Sequence, residues 1–305
     1  MRAVGIILAG GNNNRMKELT HKRAVAAMPI AGSYRSIDFA LSNMTNSHIQ
    51  KVAVLTQYNA RSLNEHLNSS KWWNFGRKQG GLYVFTPTIT NDNGYWYRGT
   101  ADAIYQNMDF LKKSHEPYVV IASGDAVYKM DYGKVLQYHI DKKADVTVVC
   151  KEMDPSDDVS RFGTIRMDDD MRITEFEEKP MVTKSNMIST GIYVIRRRLL
   201  IDLIEHAAEE ERFDFVNDVL IRYKNLKKIY GYKIDHYWSN IATVDAYYKT
   251  NMDFLKPEVR NYFFKQDPEI YSKVSDLPPA KYNPGASVKN SLVGSGSIIN
   301  GTVEN

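Results

Sequence analysis

The segment Ala3-Val-Gly-Ile-Ile-Leu-Ala-Gly-Gly-Asn-Asn-Asn-Arg15 decides how this chain of 305 residues is interpreted. Its apolar first part, from Ala3 to Leu8, predicts a buried β-strand. The adjacent Gly10 and Gly11 let the backbone approach a phosphate closely, with N–H groups directed at the anion, and Arg15 can neutralise its charge. A strand that leads directly into such a loop indicates a nucleotide-binding fold.

Two features of the same region weaken the expected phosphate site. Three consecutive asparagines, Asn12 to Asn14, occupy positions where further glycines would favour close approach of a phosphate. Val25 follows Arg15 by ten residues, in a stretch where a second cation is expected to offset phosphate charge. The chain therefore combines a nucleotide-type loop with a partial loss of catalytic residues, and both facts enter the functional interpretation.

Length and composition predict a globular protein of two domains, because 305 residues exceed one small core. The hydrophobic content of 43% and charged content of 25% are ordinary for such a protein. The longest apolar runs have the length of strands and the sequence starts without an apolar signal segment, so we expect a cytoplasmic protein with no membrane partner. The single cysteine, Cys150, excludes an intramolecular disulfide and is expected to be buried and unreactive.

The net charge of +4 is modest, and a nucleic-acid partner is not expected because such proteins usually show a stronger basic face. The basic clusters Arg196–Arg198 and Arg222–Lys228 are interpreted as solvated helix surface. A site for a phosphorylated effector is the alternative interpretation of these clusters.

Strand and helix patterns alternate along the first part of the chain. This alternation predicts βαβ units, and therefore an α/β fold with a mainly parallel sheet covered by helices on both faces. Ligands of such sheets bind beyond the carboxyl ends of the strands, where the loops 9–15, 57–60 and 123–128 are expected. The predicted strands are Ala3–Leu8, Lys51–Leu55, Tyr118–Ser123 and Asp145–Lys151, and the predicted helices are Ser36–Ser47, Arg61–Leu67, Ala101–Lys113 with Thr100 as N-cap, and Gly133–Lys142.

Short strands separated by turn residues follow, at Gly163–Met167, Ile173–Glu177 and Ile188–Val194, and they indicate an antiparallel region within a first domain of residues 1–255. The acidic triplet Asp168-Asp169-Asp170 lies in one of the turns. We expect it to be solvated, because three neighbouring side chains cannot all reach one metal ion.

The last fifty residues differ in character. Residues 256–285 contain five prolines and predict an extended linker. In residues 286–305 apolar residues return every six positions, at Ala286, Leu292 and Ile298, which is the signature of a left-handed parallel β-helix. One coil cannot bury its own apolar face, and Asn305 falls within the pattern. We therefore expect either a truncated β-helix or a coil that packs on the main domain.

Seven motifs, taken together and in order, resemble one protein family. They are Leu8-Ala-Gly-Gly11, Gln57-Tyr58, Tyr97-Arg-Gly-Thr-Ala-Asp-Ala103, Gly124-Asp-Ala-Val-Tyr-Lys-Met-Asp-Tyr132, Glu178-Lys-Pro180, Gly191-Ile-Tyr193 and Tyr237-Trp238. Each motif alone is a weak signal, but their order over about 250 residues resembles the glucose-1-phosphate adenylyltransferases (ADP-glucose pyrophosphorylases). The resemblance covers residues 1–255, extends into the start of the β-helix, and implies a Rossmann-like nucleotidyltransferase domain.

The resemblance implies a reaction in which glucose 1-phosphate attacks the α-phosphate of ATP and releases pyrophosphate. It also implies Mg²⁺ as cofactor, because a cation that two carboxylates hold must bridge the phosphate oxygens. Three sets of site residues follow from it. The nucleotide-binding set is Leu8, Ala9, Gly10, Gly11, Gln57, Gly99 and Thr100; the catalytic residues are Arg15 and Asp125, which is also the metal ligand; and the sugar-phosphate set is Tyr97, Glu178, Lys179, Ser189, Asp214 and Trp238.

The sequence departs from the family pattern at places that bear on catalysis. Asn13 and Asn14 replace Gly and Thr of the loop, Val25 replaces a lysine, Ala126 replaces a histidine, and Asn240 replaces the second metal carboxylate. Because Asn240 is uncharged, a metal at Asp125 should bind weakly, and each loss should cost a factor of about 10²–10³ in rate. These departures resemble the non-catalytic, D-type subunit of the bacterial enzyme.

Such a subunit is expected to act in glycogen biosynthesis as a regulatory partner of a catalytic paralogue, in a hetero-oligomer and in particular a tetramer. ATP, glucose 1-phosphate or a phosphorylated sugar is the expected effector, and Mg²⁺ is needed only for residual activity. One alternative is an active sugar-1-phosphate nucleotidyltransferase, in which Asp245 or another acid joins Asp125 at the metal. Another is a hexapeptide-repeat acyltransferase or assembly module, although residues 286–305 lack the histidine that such enzymes usually place at a coil edge.

Overall fold

The computed structural model describes residues 2–12, 14–76, 80–90 and 94–304. The strands of this part of the chain are β1 (Ala3–Ala9), β2 (Pro29–Ile30), β3 (Tyr34–Arg35), β4 (Lys51–Thr56), β5 (Gly81–Phe85), β6 (Tyr118–Ser123), β7 (Ala126–Tyr128), β8 (Val146–Glu152), β9 (Gly163–Met167), β10 (Ile173–Glu178), β11 (Met187–Arg196), β12 (Ile229–Ile234), β13 (Trp238–Asn240), β14 (Lys281–Tyr282), β15 (Ser287–Lys289), β16 (Ile298–Ile299) and β17 (Thr302–Glu304).

The helices of the described residues are mostly short. The α-helices are α1 (Ser36–Asn46), α2 (Arg61–Leu67), α3 (Thr100–Gln106), α4 (Met108–Lys112), α5 (Tyr132–Asp141), α6 (Arg197–Glu209), α7 (Val244–Asp253) and α8 (Pro257–Phe264). Segments of 3-10 helix occur at Asn14–Thr20, Val25–Ala27 and Ser70–Trp73, and a π-helix occurs at Phe215–Ile221. None of the described helices is both long and apolar enough to cross a lipid bilayer.

Strand β1 lies inside a nine-stranded sheet of the described residues. It pairs in parallel with β4 and β6, β5 pairs in parallel with β4, and β12 pairs in parallel with β8. Strand β11 is antiparallel to both β6 and β8 and joins the two parallel groups, while β9 and β10 form an antiparallel pair beside it. The predicted α/β sheet is therefore mixed, and its antiparallel part begins at β9, where the short strands indicated it.

Side chains on both faces of β1 are buried, which explains why this segment forms a central strand. Ile7 and Ala9 belong to one core cluster, which α1 covers, and Val4 and Ile6 belong to a second cluster, which α3 and α6 cover. The strand ends where the glycines begin. The loop that starts at Gly10 therefore projects from the carboxyl edge of the sheet, next to the ends of β4 and β6.

The single helix predicted over residues 101–113 is interrupted. Asn107 separates α3 from α4, and its side-chain Nδ2 donates to the carbonyl oxygen of Ala103 and to the hydroxyl of Tyr97, each at 2.9 Å. An asparagine that bonds to the preceding turn competes with the helical hydrogen bonds of the backbone. Apolar periodicity does not show this competition, so the sequence predicts one helix where two are present.

Two further sequence features have the structural roles that were expected of them. Cys150 is fully buried in β8, and burial raises the pKa of its thiol to about 12. The acidic triplet forms a turn in which Asp168 Oδ1 accepts the N–H groups of Asp170 and Arg172 at 3.0 and 2.9 Å. Both observations confirm the expected burial of the thiol and the expected turn.

The extended linker predicted over residues 256–285 begins with helix α8. Pro257 is its first residue, where the fixed φ of proline suits a helix and the missing N–H leaves no hydrogen bond unmade. Phe263 of this helix is fully buried, and its ring lies 5.2 Å from that of Phe254 and 5.3 Å from that of Phe39. Burial of this aromatic residue therefore outweighs the linker signal of the prolines.

Residues 281–304 form two pairs of short strands. Strand β14 pairs in parallel with β16, and β15 pairs in parallel with β17. Leu292 and Ile298, two of the periodic apolar residues, are 37% and 62% exposed. The left-handed β-helix stays a prediction, and Asn305 lies outside the described residues.

Candidate functional site

A cleft of about 820 Å³ opens at the carboxyl ends of β1, β4 and β6. The loops after these strands contribute to its wall, where the α/β pattern predicts a ligand site. Four of the predicted site residues are not among those that line the cleft: Glu178, Ser189, Asp214 and Trp238. The other predicted residues line the cleft: Leu8, Ala9, Gly10, Gly11, Arg15, Gln57, Tyr97, Gly99, Thr100, Asp125, Lys179 and Asn240.

The two loop glycines have different surroundings. A Cβ atom at Gly10 would lie 3.2 Å from the Cβ of Gln57, so Gly10 allows the loop to pack closely on the next strand end. A Cβ atom at Gly11 would have no atom within 4 Å, although Gly11 lines the cleft. The missing side chain at Gly11 therefore leaves room for a ligand beside the backbone. Of the two replaced loop residues, Asn14 lines the cleft and Asn13 lies outside the described residues.

Gln57 holds the loop that carries Tyr97. The Oε1 atom of Gln57 accepts the N–H of Tyr97 at 2.7 Å, and its Nε2 donates to the carbonyl oxygen of Tyr97 at 3.3 Å. Both ends of the amide thus bond to the backbone, so Gln57 positions the cleft wall. Its assignment to the nucleotide-binding set stays a prediction.

Gly99 and Thr100 fix the start of α3 against the π-helix. A Cβ atom at Gly99 would lie 2.3 Å from the carbonyl oxygen of Phe213, so only glycine allows this close approach. Gly99, and not Thr100 as predicted, is the N-cap of α3. The Oγ1 atom of Thr100 instead accepts the N–H of Phe215 at 2.9 Å. Backbone packing explains both residues, and their nucleotide-binding role stays a prediction.

The strand pair β7–β13 brings Asp125 and Asn240 together. Asn240 ends β13, whose partner β7 begins directly after Asp125, and the N–H of Ile241 donates to the carbonyl oxygen of Asp125 at 2.9 Å. The carboxylate of Asp125 accepts the Ser123 hydroxyl at 2.5 Å, and Asn240 Oδ1 accepts the N–H of Ala242 at 3.1 Å. Two positions far apart in the sequence therefore meet, as the resemblance implies, but one of them carries no charge.

Val25 places an apolar side chain on the cleft wall. It is 7% exposed and belongs to a cluster with Met16, Phe39 and Ile241. Ala126, the other apolar replacement, is 1% exposed in a second cluster. Neither position contributes a cation or a metal-binding group to the cleft.

Lys179 reaches the cleft from a strained turn at the end of β10. Its φ of 47° lies in the left-handed region that residues with a side chain rarely adopt, and its N–H donates to the carbonyl oxygen of Phe162 at 3.1 Å. Its Nζ lies 2.9 Å from Oε1 of Glu178, and the two side chains are 59% and 14% exposed. The turn thus fixes the backbone from which Lys179 extends, while its side chain stays largely exposed at the cleft.

The remaining sugar-phosphate candidates each contact or precede a residue of the cleft wall. The hydroxyl of Ser189 lies 3.2 Å from that of Tyr193, and the ring of Trp238 lies 5.6 Å from that of Phe162. Asp214 caps the π-helix, whose first residue lines the cleft. The indole N–H of Trp238 is buried and has no hydrogen-bond partner among the described residues.

Arg161 adds a cation to the cleft that the motifs do not predict. Its Nη1 donates to Thr243 Oγ1 at 3.3 Å, and its guanidinium lies 4.7 Å from the ring centre of Phe162. Burial lowers the pKa of this guanidinium, Asp125 and Asp158 raise it, and Arg15 lowers it by a smaller effect. Because arginine stays protonated in proteins, Arg161 sets a fixed positive charge near Asp125.

Comparison with known proteins identifies the family of this fold and cleft. The family model described as nucleotidyl transferase matches residues 4–257. A glucose-1-phosphate adenylyltransferase of Thermosipho melanesiensis is 39% identical over 304 residues, which cover 99% of this chain and 74% of that protein. This chain belongs to the glucose-1-phosphate adenylyltransferase family. A protein of that name from Clostridium botulinum (strain Alaska E43 / Type E3) is 42% identical over 306 residues, which cover 99% of this chain and 79% of that protein. Another from Bacillus cereus is 40% identical over 306 residues, which cover 99% of this chain and 81% of that protein.

Nucleotidyltransferases typically use Mg²⁺, and the residues around Asp125 in this member of the adenylyltransferase family offer that ion only a weak site. Mg²⁺ takes oxygen ligands in strict octahedral geometry and is usually held by one or two carboxylates. Asp125 is the one carboxylate among the described lining residues, Asn240 Oδ1 already accepts a backbone hydrogen bond, and Arg161 brings a competing positive charge. No group of three His, Cys, Asp or Glu side chains in the described ranges could hold a metal ion.

Some residues that line the cleft of this adenylyltransferase-family member were not predicted as site residues from the motifs. Arg161 lies in an irregular segment just before β9 and belongs to no quoted motif, so no sequence signal marks it. Tyr193 ends the quoted Gly-Ile-Tyr motif, and Phe215 directly follows Asp214. Both are aromatic residues in or beside a motif, and that position is the sequence signal that marks them as candidate lining residues.

Proposed function

We propose that this chain is a regulatory or catalytically degenerate subunit of a glucose-1-phosphate adenylyltransferase in glycogen biosynthesis. That enzyme converts ATP and glucose 1-phosphate to ADP-glucose and pyrophosphate, and this chain has little or no activity alone. The contact of Asp125 with the strand that carries Asn240 is the observation that supports the proposal, because one of two positions expected to be acidic is neutral. Val25, on the same cleft wall, removes a positive charge that the phosphates need.

A catalytic paralogue in the cytoplasm is the proposed partner, in a hetero-tetramer that responds to ATP, glucose 1-phosphate or a phosphorylated sugar. The parallel strand pairs β14–β16 and β15–β17 are proposed to begin a left-handed β-helix. The exposed Leu292 and Ile298 support a contact between this segment and another apolar surface.

Mixing the purified chain with its catalytic paralogue tests the regulatory role. Light scattering after size exclusion should show one complex with the mass of a tetramer, and the turnover or effector response of the paralogue should change on mixing. Separate elution of the two proteins, with unchanged turnover at every effector concentration, would exclude the role.

An active sugar-1-phosphate nucleotidyltransferase is the second candidate, and Arg161 favours it because it restores positive charge to the cleft. Asp245, the acid that could replace the lost carboxylate, lies in the first turn of α7 and is not among the described residues that line the cleft. Assaying the chain alone separates the two candidates, since the regulatory subunit should form little ADP-glucose.

A further inference from the structure

The cleft contains more cations than carboxylates. Its described lining residues include one carboxylate, Asp125, and four cations, which are Arg15, Arg98, Arg161 and Lys179. Arg98 and Lys179 each pair with a carboxylate that does not line the cleft. Arg98 lies 3.3 Å from Asp102, and Lys179 lies 2.9 Å from Glu178.

Arg161 lies near Asp125, Asp158 and Asp157, which raise the pKa of its guanidinium, but it makes no direct ion pair with any of them. A guanidinium has five N–H donors, and among the described residues Arg161 makes one side-chain hydrogen bond, to Thr243, and no ion pair within 4.0 Å. Its Cζ also lies 4.7 Å from the ring centre of Phe162, a cation–π contact that uses none of the N–H donors. A guanidinium held in this way presents a flat fork of donors, which matches the oxygens of a phosphate.

Arg15 lies close enough to Arg161 to lower the pKa of the Arg161 guanidinium. Two like charges that face one cleft repel each other, and a group with more than one negative charge between them relieves that repulsion. Asp158 lies near both arginines and offsets part of their positive charge, while its Oδ1 accepts the N–H of Ser160 at 3.0 Å. The open backbone at Gly11 provides room for the anion in the same cleft.

We propose that the cleft binds the phosphate groups of its ligand without a divalent metal ion, and that Arg161, together with Arg15, supplies the positive charge. This inference rests on the proposed function, because it describes how a subunit without a complete metal site still binds a phosphorylated ligand. ATP and glucose 1-phosphate both carry the required group. Arg161 is then a binding residue that replaces charge lost at Val25 and Asn240.

Isothermal titration of the purified full chain tests the inference, with ATP and glucose 1-phosphate as separate ligands, each in EDTA and in MgCl₂. At least one ligand should bind in EDTA with a dissociation constant similar to that in MgCl₂. Arg161→Ala should weaken that binding about 10- to 100-fold, because charge-assisted hydrogen bonds to phosphate are lost. Arg161→Lys keeps the positive charge but loses the fork of donors, so its dissociation constant should lie between those of the wild type and Arg161→Ala.

Arg166→Ala is the matched control. Arg166 lies in β9, five residues away, pairs with Glu175 at 3.6 Å and does not line the cleft, so its removal should leave ligand binding unchanged. Unfolding transitions of all variants show whether they fold, and Arg161→Gln provides a second neutral variant if Arg161→Ala does not.

Three results would overturn the inference: binding that appears only with MgCl₂, equal affinity of wild type and the neutral Arg161 variants, or no binding of either ligand. The ATP and glucose 1-phosphate arms show which phosphate the arginines hold. The regulatory role is measured separately, through the mass and turnover of the mixture with the paralogue. Failure of one proposal can therefore be told apart from failure of the other.

Discussion

Restoring both lost charges should convert this cleft toward catalysis, and Val25→Lys combined with Asn240→Asp is the direct perturbation. Val25 is 7% exposed in an apolar cluster and also lines the cleft. A lysine there can keep its stem in the cluster and extend its ammonium group into the cleft. Asn240→Asp retains the Oδ1 atom that accepts the N–H of Ala242 and adds a negative charge near Asp125.

The expected gain follows from the worth of one preorganised charged group, which is a factor of about 10²–10³ in rate. Two independent groups would multiply to about 10⁴–10⁶, and groups that act as a unit give less. We therefore expect ADP-glucose formation to rise at least about 10²-fold. Replacing the buried Val25 should lower the free energy of unfolding by about 1–3 kcal/mol, which leaves a typical protein folded.

The assay measures ADP-glucose formed from ATP and glucose 1-phosphate in MgCl₂ by the purified variant, without a paralogue. Val25→Met combined with Asn240→Asp is the matched control, because it lengthens the side chain without adding a cation. A double variant that shows a cooperative unfolding transition but no faster turnover would refute the reasoning. Equal gains in variant and control would refute the part assigned to the lysine.

Three further predictions concern packing and protonation. Gly99→Ala should lower the melting temperature strongly, because the new Cβ would lie 2.3 Å from the Phe213 carbonyl oxygen. Gly11→Ala should leave the melting temperature unchanged but weaken ligand binding, because its Cβ would point into open space in the cleft. Similar melting temperatures for the two variants would contradict this prediction. Burial lowers the pKa of His139 from 6.5 to about 4, so below pH 6.5 the unfolded chain binds a proton that the folded chain does not. The contribution of His139 to the free energy of unfolding, measured in urea, should therefore be constant above about pH 6.5 and fall by on the order of 3 kcal/mol towards pH 4. If a His139→Gln variant loses the same free energy over this pH range, His139 is not the cause. Cys150, whose thiol pKa burial raises to about 12, should react with a thiol reagent only after denaturation, and rapid reaction of the native protein would disprove its burial.

Elements with a strong local pattern were predictable from the sequence. Helix α2 has the predicted bounds Arg61–Leu67, and β6 has the predicted bounds Tyr118–Ser123. In α2 the apolar residues Leu63 and Leu67 are four positions apart and both are buried, and in β6 the continuous apolar run is buried in the sheet. The approach of Asp125 to Asn240 was also implied by the resemblance, because motifs in a known order carry tertiary information that periodicity lacks.

The features that the sequence did not predict depend on contacts between distant residues. Helix α8 forms in a proline-rich stretch because Phe263 finds an aromatic core built mainly from earlier parts of the chain. Arg161 lines the cleft where the segment before β9 meets Thr243, to which its guanidinium donates a hydrogen bond. Local composition contains neither piece of information, and the charge of the cleft was therefore underestimated.

The rate of ADP-glucose formation by the purified chain alone, compared with that of the catalytic paralogue under identical conditions, tests the central claim most directly. One carboxylate at Asp125, a neutral Asn240 and an apolar Val25 predict a rate at least about 10²-fold below that of the paralogue. A chain that matches the paralogue in turnover without any partner would contradict the account.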